Sequence, residues 1–329
     1  MRPRFSPETY IQAILAGNKV MLSRAITLIE SRLNSDNELA QAVIEGCLPH
    51  SGGAFRIGIT GVPGAGKSTF IDTFGTMLAN KGHKIAVLAI DPSSNVSGGS
   101  ILGDKTRMQN LSIHANAFIR PSPSGGNLGG VARKTRETLL LCEAAGYDVI
   151  MVETVGVGQS EITVRGMTDF FLLLMLPNAG DELQGIKKGI MEQADALLIN
   201  KADGVFLPKA RSAKVLYSQA LRLFPPNESG WNPPVMLCSA LAETGIVEIW
   251  ETLTRFREHT LANGSWDKQR ERQALNWMME NAMLRIQQAF LENPFVQTEI
   301  KRLKEEVQNQ QISPMKAADV LVNLWGSRR

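Results

Sequence analysis

The stretch FRIGITGVPGAGKSTF, residues 55–70, joins a short apolar run to a glycine-rich loop and then to a helix-forming segment. Its spacing is G-x-x-x-x-G-K-[ST], with Gly61, Gly66, Lys67 and Ser68 in the fixed places. Such a loop needs a strand to deliver it and a helix to receive it, which points to a parallel α/β architecture. Its glycines let the backbone wrap closely around an anion, so that successive amides and the helix terminus face phosphate oxygens. Gly61, Val62, Pro63, Gly64, Ala65 and Gly66 are predicted to cradle a nucleotide's phosphates, with Lys67, Ser68 and Thr69 opening the helix. Lys67 is placed to reach the outer phosphates, and the Ser68 hydroxyl to ligate magnesium.

The region around this loop repeats the same alternation. Apolar runs FRIGIT, KIAVLAI, VIMVET, FFLLLML, ALLIN and VMLCSA are separated by helical stretches such as 69–80, 133–145, 183–194 and 208–223. Near-continuous apolar strands with crossover helices predict a mostly parallel sheet covered by helices on both faces, the fold class of phosphate-loop nucleotidases. In such sheets ligands sit at the carboxyl ends of the strands.

Both flanks read as helical. Ser6 and Pro7 form a cap and a first-turn proline, followed by Tyr10, Ile14, Ile26 and Ile29 at helical spacing. Beyond Trp266 the strands stop, and Leu275, Met278, Met279, Ala282, Ile286 and Phe290 form a methionine-rich stripe. Further helices are expected through Val296–Val307 and after Ser313 and Pro314. The predicted division is a helical extension over 1–50, a nucleotide-binding domain over 51–262 and a helical arm over 263–329. The arm's stripe is either plain core or the seam on which a second copy packs, and a homodimer is the expectation.

Composition narrows the partners. Among 329 residues the formal charge is only +3, with basic and acidic residues interspersed, so no nucleic-acid footprint is expected. No run approaches the roughly 18 apolar residues of a membrane span, and the first residues lack a secretory core, so neither membrane nor export is expected. Cys47, Cys142 and Cys238 are odd in number and far apart, which suits a reducing cytoplasm better than a disulfide framework.

Magnesium prefers hard oxygen ligands. Asp91 ends KIAVLAI, Asp104 lies in NVSGGSILGDKTRM, and Glu153 ends VIMVET, so these three join Ser68 as candidate metal ligands. A lone carboxylate at a strand end also serves as a helix cap, and that reading stays open for each. Base choice is read from ALLINKADG. One carboxylate accepts from both donors on the Watson–Crick edge of guanine, and adenine lacks that pair, so Asp203 selects guanine. Lys201 is placed to lay its stem over the base and Asn200 to tie this loop to the phosphate loop. Ser239, Ala240 and Leu241 end the next strand and offer backbone amides to the guanine oxygen.

With these motifs assembled, the chain resembles the MeaB/ArgK type of P-loop GTPase, the methylmalonyl-CoA mutase-associated GTPases of the SIMIBI class. The resemblance covers nearly the whole chain: GVPGAGKST, IDPSS at 90–94, GGSILGDKTRM at 98–108, RPSPSGGNLGGVA at 120–132, ETVGVGQSE at 153–161, PNAGDELQGIKKGI at 177–190, NKAD and SAL. It implies a homodimeric, GTP-hydrolysing, magnesium-dependent chaperone of adenosylcobalamin-dependent methylmalonyl-CoA mutase that gates cofactor loading and protects the enzyme. It also implies switch segments around Asp104, after Glu153 and from Asn178 to Lys188. Lys67, Asp104 and Glu153 are the expected catalytic residues, the two carboxylates as candidates to orient the attacking water. Arg107, Arg133, Lys188 or a partner is the expected source of any further stabilising cation.

Three rival readings share these motifs. A kinase phosphorylating a small molecule or a transport-system binding protein would share the loop, although no acceptor pocket is evident. A metallochaperone GTPase would show clustered cysteines or histidines, whereas His50, His83, His114 and His259 are scattered. A scaffold that binds GTP without using its hydrolysis is the third.

Overall fold

The computed structural model describes residues 4–31, 33–90, 108–121, 128–154, 160–177, 188–225 and 227–326. They form two compact units, Met1–Gln269 and Arg270–Arg329.

The first unit is built on a seven-stranded sheet: β1 (Phe55–Gly61), β2 (Ile85–Ile90), β3 (Ala117–Arg120), β4 (Val149–Thr154), β5 (Phe170–Met175), β6 (Ala196–Ile199) and β7 (Val235–Leu237). Their spatial order is β3-β2-β4-β1-β5-β6-β7, and every pairing is parallel. This confirms the predicted fold and puts the strand that delivers the phosphate loop at the centre. Six of the strands coincide with the apolar runs of the sequence; β3 is the addition. Its apolar run, 117–119, is only three residues long before Arg120 closes it, so it does not stand out as a strand.

The apolar runs are explained by burial on both faces. Ala86, Leu88, Ile90, Ile150 and Val152 pack on one side, while Ile85, Val87, Val149, Met151, Ile57 and Ile59 pack on the other. Alternate side chains of a strand point to opposite faces, so both sets must be apolar when both faces are covered. The second face meets the helices Lys67–Asn80 and Ile246–Ala262 through Phe70, Phe74, Leu253 and Phe256. The first meets the helix Leu128–Ala144 and the N-terminal helices.

Those N-terminal helices are α1 (Pro7–Leu15), α2 (Lys19–Glu30) and α3 (Asn34–Cys47). Ser6 caps α1 by accepting from the Thr9 amide, with Pro7 at the first helical position. Tyr10, Ile14, Leu22, Ile26 and Ile29 are buried in the same cluster as the sheet residues Ile150 and Val152.

The second unit is helical. The helix Ser265–Glu292 enters it, and Pro294–Gln308 and Pro314–Gly326 follow. Asn293 caps the middle helix by accepting from the amides of Phe295 and Val296, and Ser313 accepts from the Lys316 amide. Val296, Leu303 and Ala317 form its small interior, with Phe290 edge-on to Trp325. Among the described residues no helix is long and apolar enough to cross a membrane.

Candidate functional site

The phosphate loop begins where β1 can approach its neighbour most closely. Gly61 has φ +154°, and a Cβ there would lie 2.2 Å from the Leu174 carbonyl oxygen on β5. Gly66 has φ +81°, in the left-handed region, and a Cβ would meet Asn200 Nδ2 at 2.8 Å. Both positions therefore require glycine. The helix Lys67–Asn80 starts directly after Gly66, so its first amides face the loop.

Lys67 Nζ donates to the carbonyls of Gly61 at 2.9 Å and Val62 at 3.4 Å. Burial pulls its ammonium below the ordinary lysine range, and the neighbouring Glu153 and Glu161 carboxylates oppose that shift. Ser68 Oγ donates to Glu153 Oε1 at 3.1 Å. Glu153 sits at the end of β4, opposite Ile59 of β1 and only 3 % exposed. The structure thus brings Lys67, Ser68 and Glu153 together. Asp91 and Asp104 lie outside the described residues, as do Arg107 and the switch stretches 95–103, 156–159 and 178–187. Arg133 is paired with Glu137 one turn along its own helix, at 2.8 Å.

Two acidic residues were not singled out from the sequence. Glu161, at the start of the short helix Ser160–Arg165, is buried and acts electrostatically on Lys67. In sequence it looks like an ordinary first-turn acid. Asp72, on the phosphate-loop helix, accepts from the Leu111 amide at 2.8 Å and from Asn110 Nδ2 at 3.3 Å. It pins the helix Gln109–Ile113 at the point where the chain re-emerges after residue 107. An acid at that helical position carries no sequence signature.

The base-reading stretch follows β6. Asn200 is 2 % exposed. Its Nδ2 donates to the Ala65 carbonyl at 2.8 Å, while its Oδ1 accepts from the Ala240 amide at 3.0 Å and the Cys238 thiol at 3.4 Å. One side chain thereby joins the phosphate loop to the turn after β7. Lys201 adopts φ +60° and is exposed, Ala202 donates back to the Cys238 carbonyl, and Asp203 turns inward to accept from the Ser239 hydroxyl. Ser239 also bridges to Thr244 through both backbone bonds and accepts from the Ala242 amide at 3.1 Å. Leu241, by contrast, is 86 % exposed. Of the three amides expected to face the guanine oxygen, those of Ser239 and Ala240 are already engaged, by the Thr244 carbonyl and by Asn200 Oδ1. Among the described residues no group of three or more His, Cys, Asp or Glu side chains is arranged to hold a metal ion.

A phosphate loop closed by an Asn-Lys-x-Asp stretch on one parallel sheet is the frame of a guanine-nucleotide enzyme. Residues 22–295 match the family described as Methylmalonyl Co-A mutase-associated GTPase MeaB. The chain belongs to that family. A Caulobacter vibrioides protein described as a GTPase is 49 % identical over 326 residues, 99 % of this chain and 100 % of its own. The GTPase ArgK of Escherichia coli is 43 % identical over 304 residues, 92 % of each chain. A crystal structure described as LAO/AO transport system kinase superposes with TM-score 0.78 at 35 % identity, over 99 % of both chains. This MeaB/ArgK-type protein is therefore a GTPase that binds GTP, as its motifs predicted.

Proposed function

We propose that this GTPase works as a molecular switch and chaperone for adenosylcobalamin-dependent methylmalonyl-CoA mutase, tying cofactor loading and protection of the enzyme to its nucleotide state. The observation that carries the switch reading is the double hydrogen bonding of Asn200, which makes base recognition and the phosphate loop one mechanical piece. The mutase as client is supported by the family's description.

In this reading Asp203 accepts from the guanine edge, Lys201 covers the base, and the turn Ser239–Ala240–Leu241 faces the guanine oxygen. The loop from Gly61 to Thr69 holds the phosphates. The oxygen pair Ser68 Oγ and Glu153 Oε1, 3.1 Å apart beside that loop, is a hard donor set that suits magnesium. Asp91 and Asp104 would complete it. When bound, the metal neutralises phosphate charge. Lys67 stabilises charge on the outer phosphates, and Glu153 with Asp104 orients water for in-line attack. Catalysis of this kind is mostly positioning, so turnover of the isolated protein should be slow and should rise when the client completes the site.

Self-association as a homodimer belongs to the same reading. It is supported by the exposed Leu275, Met278, Met279, Met283 and Ile286 on the helix Ser265–Glu292. The buried thiols of Cys47, Cys142 and Cys238, none of them in a disulfide, support a cytoplasmic setting.

The test is phosphate release from GTP, with and without stoichiometric mutase, using Lys67→Ala as the blank. Stimulation by the mutase is expected; an unchanged rate with no complex in either nucleotide state would remove the client. A second reading, phosphoryl transfer to an acceptor, is favoured by the 35 %-identical structure described as a transport system kinase. Labelled γ-phosphate appearing on a protein or small-molecule acceptor, instead of in solution, would establish it.

A further inference from the structure

Six threonines inside the helices of this protein spend their hydroxyl on their own helix. Thr27, Thr135, Thr252, Thr254, Thr260 and Thr298 each donate to the carbonyl four residues back. Thr73, in the second turn of the phosphate-loop helix, does not. Its Oγ1 donates at 2.9 Å to the Ala240 carbonyl, 167 residues away in sequence and in the turn after β7.

That bond closes a ring. Ala240 is held from its other side, its amide donating to Asn200 Oδ1 at 3.0 Å, and Asn200 Nδ2 returns to the Ala65 carbonyl at 2.8 Å, two residues before the helix starts. Ala240 itself is buried, so its carbonyl has to be satisfied within the protein. Helix, turn, strand end and phosphate loop are thus linked by three hydrogen bonds, each directed by a specific side chain. The turn 239–241 cannot shift relative to the phosphate loop without breaking one of them.

We infer that Thr73 is a positioning residue for nucleotide recognition: its hydroxyl fixes the base-facing turn to the phosphate-loop helix, so that base and phosphate subsites keep one spacing. This rests on the reading of Asn200, Asp203 and the turn Ser239–Leu241 as the guanine subsite. A guanosine nucleotide must satisfy both subsites at once, and a turn free to drift would lose the base contacts first. Thr73 touches neither phosphate nor base in this account and acts through Ala240.

The test compares Thr73→Val, which keeps the shape and removes the donor, with Thr73→Ser, which keeps the donor. GDP, IDP and ADP affinities are measured by titration calorimetry, GTP kinetics by phosphate release, and the nucleotide-free melting temperature alongside. Loss of one directed hydrogen bond predicts about fivefold weaker GDP binding for Thr73→Val, with a similar rise in the KM for GTP. The preference for GDP over ADP should shrink, kcat at saturating GTP should change less than the KM, and Thr73→Ser should restore wild-type values. Asp203→Ala, run in parallel, checks the underlying subsite and should abolish the preference for GDP over IDP. If Asp203→Ala destroys that preference while Thr73→Val leaves GDP affinity intact, the role of Thr73 is overturned and the guanine subsite stands. If Asp203→Ala leaves the preference intact, the subsite reading fails and takes the Thr73 inference with it. If Thr73→Val lowers the melting temperature while weakening GDP and ADP equally, the bond is merely structural.

Discussion

The N-terminal helices and the C-terminal helical arm start from the same kind of sequence and end differently. Each carries apolar residues at helical spacing outside the nucleotide-binding sheet. In α2, Leu22 and Ile26 are fully buried with the sheet residues of the first unit. On the helix Ser265–Glu292, Met278, Met279 and Met283 are more than half exposed, Met283 by 62 %. Apolar periodicity therefore predicts that a helix has a face to bury, and the tertiary structure alone says whether the same chain buries it. An apolar stripe left in solvent is a candidate interaction surface.

The largest expected effect opposes one charge in each region. Leu22→Asp places an unpaired carboxylate in the core and should cost more than ~4 kcal/mol, lowering the melting temperature by about 10 °C or more. Met279→Asp, measured in dilute protein, should stay within about 0.5 kcal/mol of the parent. Equal collapse of both variants in thermal denaturation would erase the contrast. At higher concentration, sedimentation should show Met279→Asp shifting the protein toward single copies.

A gentler pair sharpens the same point. Ile26→Ala leaves a cavity in the packed extension and should cost about 2–5 kcal/mol by urea titration. Leu275→Ala on the arm, already exposed, should be close to neutral by the same measurement.

Thiol chemistry reads the two regions without destabilising either. Burial pushes the Cys47 thiol, at the end of α3, up to about 11. Its neutral form is thus favoured in the folded state, and the stability tied to it is intact below the ordinary thiol range and is lost as pH rises through about 11. Maleimide labelling of Cys47 near neutral pH should wait on unfolding, whereas a Met283→Cys thiol should label at once in dilute protein. Protection of that thiol as concentration rises would identify a second copy as its cover.

The smallest effect concerns the arm's surface charges. Arg302 pairs with Glu299 and Glu306 along one exposed helix face. Arg302→Ala should change thermal stability only slightly at low salt and not detectably at high salt.

Much of the nucleotide site was legible because its chemistry is local. Gly61 and Gly66 are required by a carbonyl 2.2 Å and an amide 2.8 Å from where a Cβ would stand, and a motif of fixed spacing records both demands. Asn200 was expected to tie its loop to the phosphate loop, and its bond to Ala65 lies there. Glu161, Asp72 and Thr73 were not legible. Each acts through a partner distant in sequence, and an acid or a threonine on a helix has an ordinary local use that hides the other. The strand β3 escaped because its apolar run, 117–119, is only three residues long and is closed at once by Arg120, too short to be told from a loop.

By itself, then, the sequence determined the parallel sheet, the phosphate loop and the guanine motif, because backbone conformation and two-sided burial restrict which residues can stand at successive positions. Only the tertiary structure decided which side chains meet across the strand ends and which helical stripe stays open. Those contacts depend on distances between segments far apart in the chain, and no local pattern encodes them.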